Sequence, residues 1–237
     1  MSLVIIIWAS LLAILSYLLG SIPFSYLVAK SYGKNLYRIG SGNIGTANVY
    51  RATGKLGPVI LALTGDVGKG VLAISLAQKF SCCCFINYLF WAESIAALFV
   101  VLGHNWPIFL KFKGGRGLAT LAGVILFLNW KAILLVVGVI IFSILLVELI
   151  GRRSAIYRIP FAITKKKIKL EGSFKKRSKT LLSIIISQIV GRVIGILAAA
   201  ILIFILYPQL FKIALLPTVL TGIKHIKRTK DFVKGQK

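Results

Sequence analysis

The chain has 237 residues, 58% of them hydrophobic, and sets 30 Lys and Arg against five Asp and Glu for a formal net charge of +25. This balance excludes a soluble globular domain and predicts an all-α polytopic membrane protein, a single integral-membrane domain over residues 1–237. The acids (Asp66, Glu93, Glu148, Glu171, Asp231) and the two separated histidines are too few for paired-carboxylate chemistry or a divalent-metal site, so no metal or cofactor is expected.

The basic residues sit in short loops between apolar runs. That placement fits anionic lipid headgroups and anionic substrates better than nucleic acid, which is not expected as a partner. Cys82 to Cys84 are adjacent, a poor arrangement for a disulfide, and match no metal-ligand spacing.

In chain order, Leu3 to Leu19 is an apolar run whose positive charges follow it, at Lys30, Lys34 and Arg38, rather than precede it as in a signal peptide. It reads as an anchor with the N-terminus outside and the next loop cytoplasmic. That loop, roughly Lys30 to Gly57, is basic and glycine-rich and contains Gly40 to Lys55, GSGNIGTANVYRATGK. Pro58 stands where a helix is expected to start.

The second span runs from about Pro58 to Gln78, with Asp66 and Lys69 three apart on one helix face. They read as an ion pair near the interface; an ionisable residue at membrane depth is also a functional candidate, so Lys69 is kept as one. After a short turn at Lys79 to Asn87, Tyr88 to Leu102 forms the third span, with Glu93 inside it and no obvious partner in sequence.

Gly117 to Ile150 is apolar but interrupted at Asn129-Trp130-Lys131, and residues 151–179 are dense in Lys and Arg. Such a stretch belongs in the cytoplasm, so the chain crosses twice before it, by two short helices. The same logic divides Leu181 to Ile223 at Tyr207-Pro208-Gln209 and leaves the tail from Lys224 cytoplasmic. Seven transmembrane helices result, N-terminus out and C-terminus in; five, with a re-entrant hairpin, keep the same loop placement. The basic insertion 151–179 reads either as an amphipathic helix on anionic lipid or as a disordered loop.

This topology puts two polar, glycine-rich segments on the cytoplasmic face, where the even-numbered spans also begin. Gly103 to Thr120, GHNWPIFLKFKGGRGLAT, carries Lys111, Lys113 and Arg116 but no carboxylate. Successive glycines let backbone N–H groups converge on an anion, and a helix start adds partial positive charge. The segment reads as a phosphate cradle, with a solvated basic loop as the plain alternative; it does not fit the Walker A spacing. Ser41, Asn43, Thr46 and Asn48 of the first segment can donate to a phosphate or an alcohol. With Arg51, Lys69, Lys113 and Arg116 they could surround a doubly charged phosphate compound. Ser41 as a covalent nucleophile is the weaker idea, since no His stands near it in sequence. Cations without a strong base suit a substrate that carries its own leaving group, such as an acyl phosphate.

Gly20-Ser21-Ile22-Pro23-Phe24, Gly40 to Arg51, Gly65-Asp66 with Lys69-Gly70, and Gly103 to Thr120 together resemble the bacterial acyl-phosphate glycerol-3-phosphate acyltransferases, the PlsY family. The resemblance covers the chain to about residue 122. It implies seven transmembrane helices in the bacterial cytoplasmic membrane, with the active site on the cytoplasmic face. It implies acyl transfer from acyl phosphate to the sn-1 hydroxyl of glycerol 3-phosphate, giving lysophosphatidic acid and phosphate, the first step of phospholipid synthesis. An upstream enzyme that forms the acyl phosphate is implied as a partner.

The resemblance puts functional roles, taken here as catalytic, on Ser41 and Arg51 and glycerol 3-phosphate binding on the segment with His104, Lys113, Gly114, Gly115, Arg116 and Gly117; Asn43 and Asn48 join the phosphate-binding candidates by their own donors. Arg116 stands where the family has Lys, and Thr46-Ala47 reverses the usual order. Ser154 aligns with a family serine, and His225 falls on the Asn position of the third motif, whose His position is Gly222. Two other readings remain: a phosphate-ester or anion transporter, which would place polar groups along a mid-membrane path, and a family member that has lost its activity.

Overall fold

The computed structural model describes residues 2–84, 88–153 and 189–234. Among these residues the chain is helical throughout, without strands. It divides into two units, Met1–Trp130 with Pro208–Lys237, and Lys131–Tyr207.

In the first unit, α1 (Ser2–Ser21) ends at the Ile22-Pro23 corner and leads into α2 (Phe24–Ser31). A 3-10 turn at Leu36–Arg38 and α3 (Thr46–Thr53) follow, then the long helices α4 (Leu56–Cys84) and α5 (Leu89–Asn105). The segment read as a loop from Lys30 to Gly57 therefore contains a helix. Gly45 enters α3 in extended conformation and Gly54, at φ 66°, ends it in the left-handed region that favours glycine. Pro58 lies in the first turn of α4, where its missing N–H is not needed. Part of the stretch expected to turn, from Lys79, belongs instead to α4, which continues to Cys84.

The interruption at Asn129 is present: α6 (Leu118–Leu128) stops there and α7 (Trp130–Arg153) begins. The two are unequal rather than matched, at 11 and 24 residues, because the break falls about one turn before the middle of the apolar run and α7 continues past its end. At 1.5 Å per residue α6 is ~17 Å long, short of a ~30 Å hydrocarbon core. The chain then forms α8 (Ile189–Leu206) and, after Tyr207, α9 (Pro208–Lys234), with Pro217 inside it. In the second unit, α7 and α8 approach closely where Gly195 meets Ile140 and Ser143.

Among the described residues, Leu3–Ser31, Leu56–Ser81 and Leu89–Leu110 are long and apolar enough to cross a membrane, and Leu118–Leu128 and Trp130–Ser143 are shorter apolar helices. Their outward faces are apolar, as at Ile6, Ile14, Leu61 and Trp91, which are all exposed. Their packed faces are built from small residues. α1 and α5 meet backbone to backbone where Gly20 faces the Val100 carbonyl and Gly103 faces that of Tyr17. α4 and α6 meet where Gly70 faces Thr120 and Gly123 faces Val67. Without a hydrophobic force between helices in lipid, such close approach supplies the dispersion contact. A compact cluster of Val28, Ala29, Leu36, Ile44, Val49 and Ala62 fixes α2, α3 and the first polar loop on α4.

Candidate functional site

The site is built on two turns in the first unit, one on each side of a small cavity lined by Ile44, Asp66, Lys69, His104, Gly114 and Gly115. The first turn precedes α3. Gly40 and Gly42 both have positive φ, which bends Gly40 to Gly45 tightly back on α3. Asn48 is buried at its centre: Nδ2 donates to the carbonyls of Leu36, Ile39 and Asn43 at 3.0, 3.0 and 2.9 Å, and Oδ1 accepts from the Ser41 N–H at 3.3 Å. Its amide is committed to the main chain, so Asn48 shapes the turn, where the sequence reading had it touching phosphate. The Oδ1 of Asn43 is buried without a hydrogen-bond partner. Arg51, exposed on the last turn of α3, lies against Gly40: a Cβ there would stand 3.0 Å from Arg51 Cδ. Ser41 and Arg51 are thus brought to one edge of the turn.

The second turn joins α5 to α6. Past Asn105 the chain forms a 3-10 turn at Ile108–Leu110, and Lys111 and Phe112 take positive φ before Lys113 to Gly117 leads into α6. The Gly115 N–H donates to the His104 carbonyl at 3.0 Å, closing this excursion. Gly114, Gly115 and Gly117 are buried against neighbours that leave no space for a side chain. Gly115 faces the His104 ring and the Ile44 carbonyl; Gly117, at φ 82°, faces Asn105 Oδ1 and Thr221 Oγ1. Gly117 offers no side chain to cap α6, so the first N–H groups of that helix are left for another acceptor. Lys113 is exposed and Arg116 half-buried, which sets two cations beside this helix start.

The two turns touch. Tyr37 Oη donates to the Lys113 carbonyl at 2.8 Å, and the Ile44 carbonyl packs on Gly115.

Beneath them lies a buried polar cluster. Asp66 Oδ1 is 3.0 Å from Lys69 Nζ and 3.5 Å from His104 Nδ1, and Ser25 Oγ donates to Asp66 Oδ2 at 2.7 Å. Lys69 Nζ also donates to the Gly20 and Ile22 carbonyls, both at 2.9 Å, at the corner between α1 and α2. The expected Asp66–Lys69 pair is present, but it is buried and holds more than itself. With Asp66 and two carbonyls around it, the Lys69 ammonium is engaged within the protein. Sequence reasoning missed Ser25 and the contact of Asp66 with His104, for which no local spacing gives a signal. It also missed Lys224 of α9, whose Nζ donates to the Asn105 carbonyl at 2.7 Å. Glu93, without a partner in sequence, accepts from Gln78 Nε2 at 2.8 Å.

His225 belongs to α9, but its side chain lies outside the described residues, as does Ser154. The insertion 151–179 lies outside them from residue 154 onward.

Comparison with known proteins finds a match of residues 10–235 to the family described as glycerol-3-phosphate acyltransferase. The glycerol-3-phosphate acyltransferase of Rubrobacter xylanophilus is 47% identical over 113 residues, covering 48% of this chain and 53% of the relative. That of Thermus thermophilus is 45% identical over 123 residues, covering 52% and 57%. The chain thus spans about half the length of the curated relatives it matches. A crystal structure of PlsY, an integral membrane glycerol 3-phosphate acyltransferase, in its glycerol 3-phosphate form superposes with a TM-score of 0.61 at 26% identity, covering 97% of this chain and 94% of the other. The lysophosphatidic acid form of PlsY gives a TM-score of 0.60 at 25% identity, covering 97% and 93%.

Proposed function

The chain belongs to the glycerol-3-phosphate acyltransferase family, and from that premise we infer that it acylates glycerol 3-phosphate at its sn-1 hydroxyl, with acyl phosphate as donor. The hydroxyl oxygen forms a new ester bond to the acyl carbon, and the bond from that carbon to the phosphate oxygen breaks. Phosphate leaves with the electron pair and takes up the hydroxyl proton, and lysophosphatidic acid is the second product. The chain works in the bacterial cytoplasmic membrane as one domain of seven spans, N-terminus out, with the site on the cytoplasmic face. An upstream enzyme supplies the acyl phosphate.

The observation that carries this reading is the junction of the two turns, Tyr37 on Lys113 and Ile44 on Gly115, at the uncapped start of α6. Backbone N–H groups there, with Lys113 and Arg116, receive the acceptor's phosphate. Ser41 and Arg51, on the facing turn, hold the acyl phosphate and balance the charge that gathers on its leaving oxygen. Asn48 fixes Ser41, and His104 fixes Gly115. The similarity to PlsY in its glycerol 3-phosphate and lysophosphatidic acid forms supports the choice of acceptor and product.

The test is phosphate release from palmitoyl phosphate by the purified protein in lipid, with and without glycerol 3-phosphate. Release that depends on the acceptor and yields lysophosphatidic acid is expected. No release from a folded preparation, beside an active relative as control, would sink the reading and turn attention to transport.

A further inference from the structure

Asn105, the last residue of α5, is fully buried, yet neither Oδ1 nor Nδ2 has a hydrogen-bond partner. A buried polar side chain without partners does not hold its residue in place; it costs stability. The main chain of Asn105 is held instead. Its carbonyl accepts from Lys224 Nζ at 2.7 Å, and the same ammonium lies 4.3 Å from the centroid of the Trp106 ring. Trp106 is in turn fixed by Tyr17, whose hydroxyl donates to its carbonyl at 2.8 Å.

Both ends of Asn105 bear on the glycine-rich turn. A Cβ on Gly114 would stand 2.7 Å from the Asn105 carbonyl oxygen, and one on Gly117 would stand 2.9 Å from Asn105 Oδ1 and 3.0 Å from Thr221 Oγ1. Thr221, on α9 like Lys224, donates to the Pro217 carbonyl at 2.8 Å, which turns its hydroxyl to the helix and fixes its oxygen beside Gly117. α9 therefore backs the turn at two points, and the ammonium sits at the carbonyl end of α5, where a helix favours positive charge.

We propose that Lys224 is the positioning residue of the acceptor's phosphate cradle: acting through Asn105, it sets Gly114 and Gly117 and thus the start of α6. This rests on the reading of that turn as the glycerol 3-phosphate site. A lysine that only tied α9 to α5 would affect stability; one that sets the cradle affects affinity for the acceptor before it affects chemistry.

The experiment compares Lys224→Met, which keeps the stem and removes the charge, with Lys224→Arg, which can still reach the carbonyl and stack on Trp106. KM for glycerol 3-phosphate is expected to rise roughly tenfold in the Met variant, the effect of losing one charge-assisted hydrogen bond, while kcat stays within about twofold. Arg should restore most of the affinity. Calorimetric binding of glycerol 3-phosphate to the same proteins should weaken in parallel. If the Met variant does not fold, Lys224→Gln, which retains a donor without charge, takes its place with the same expected direction. An unchanged KM, or a fall in kcat alone, in a folded variant of an active protein overturns the proposal and leaves the function standing. A wild-type protein that neither binds nor acylates glycerol 3-phosphate overturns both.

Discussion

The Nδ1 atom of His104, at the end of α5, stands 3.5 Å from the Asp66 oxygen that also faces Lys69, in the middle of α4. One carboxylate thereby joins the helix that leads into the glycine-rich turn to the corner between α1 and α2, which Lys69 grips by two carbonyls. The cluster lines the cavity and ties four segments together there. Its expected part is to hold the two turns at a fixed separation.

Asp66→Asn should for that reason destabilise the protein strongly. It leaves the buried ammonium of Lys69 without its counter-charge, a loss of about 3–5 kcal/mol by analogy with other broken buried pairs. Lys69→Met should cost a similar amount by stranding Asp66. Replacing both, Asp66→Leu with Lys69→Met, should recover part of the loss, because no lone charge remains. Thermal unfolding of the detergent-purified variants measures this, and additive losses in the double variant would count against a coupled pair.

The pair itself was legible because it is local: residues three apart on one helix must share a face. The break at Asn129 was legible for a similar reason, since a short polar interruption in an apolar run stands out by composition alone. His104, Ser25 and Lys224 were not, because their partners are set by how α1, α2, α5 and α9 pack, and packing in lipid follows glycine contacts that hydropathy does not record. Asn48 misled for a different reason. A polar residue in a polar, glycine-rich stretch looks like a ligand, yet a tight turn must satisfy its own carbonyls, and Asn48 answers three of them.

Arg51→Ala should abolish turnover with little effect on stability. The side chain is exposed and lies against Gly40, so truncation removes charge from the edge of the turn without opening a core. Arg51→Lys should retain little activity, since a point charge lacks the paired donors of the guanidinium. Phosphate release from palmitoyl phosphate by the variants, beside their unfolding temperatures, separates the two effects. Turnover near the wild-type rate in Arg51→Ala would rule out the role given to it.

Gly115→Ala should act mainly on the acceptor. The added methyl would stand 2.6 Å from the Ile44 carbonyl oxygen and also collide with the His104 ring, so the two turns must part. The phosphate cradle then loses its shape while Ser41 and Arg51 remain on their own turn. KM for glycerol 3-phosphate should rise more than kcat falls, by roughly one to two orders of magnitude if a charge-assisted contact or two is lost. An unchanged KM would mean that the turn does not touch the acceptor.

The glycines of α4 and α6 offer a paired test of the fold. Gly70 lies against the Thr120 carbonyl and Gly123 against that of Val67, so α4 and α6 are in backbone contact there, and any side chain pushes them apart. Gly68, two residues before Gly70 on α4, has nothing within 4 Å of where its Cβ would be. Gly123→Val should therefore destabilise, by at least the ~1–3 kcal/mol typical of overpacking, and it should also reduce activity, since α6 carries the cradle at its start. Gly68→Ala should do the opposite, gaining up to about 1 kcal/mol from the better helix propensity of alanine, with activity unchanged. Thermal unfolding in detergent decides both. If the two substitutions shift stability in the same direction, close packing of α4 on α6 is not what these glycines are for.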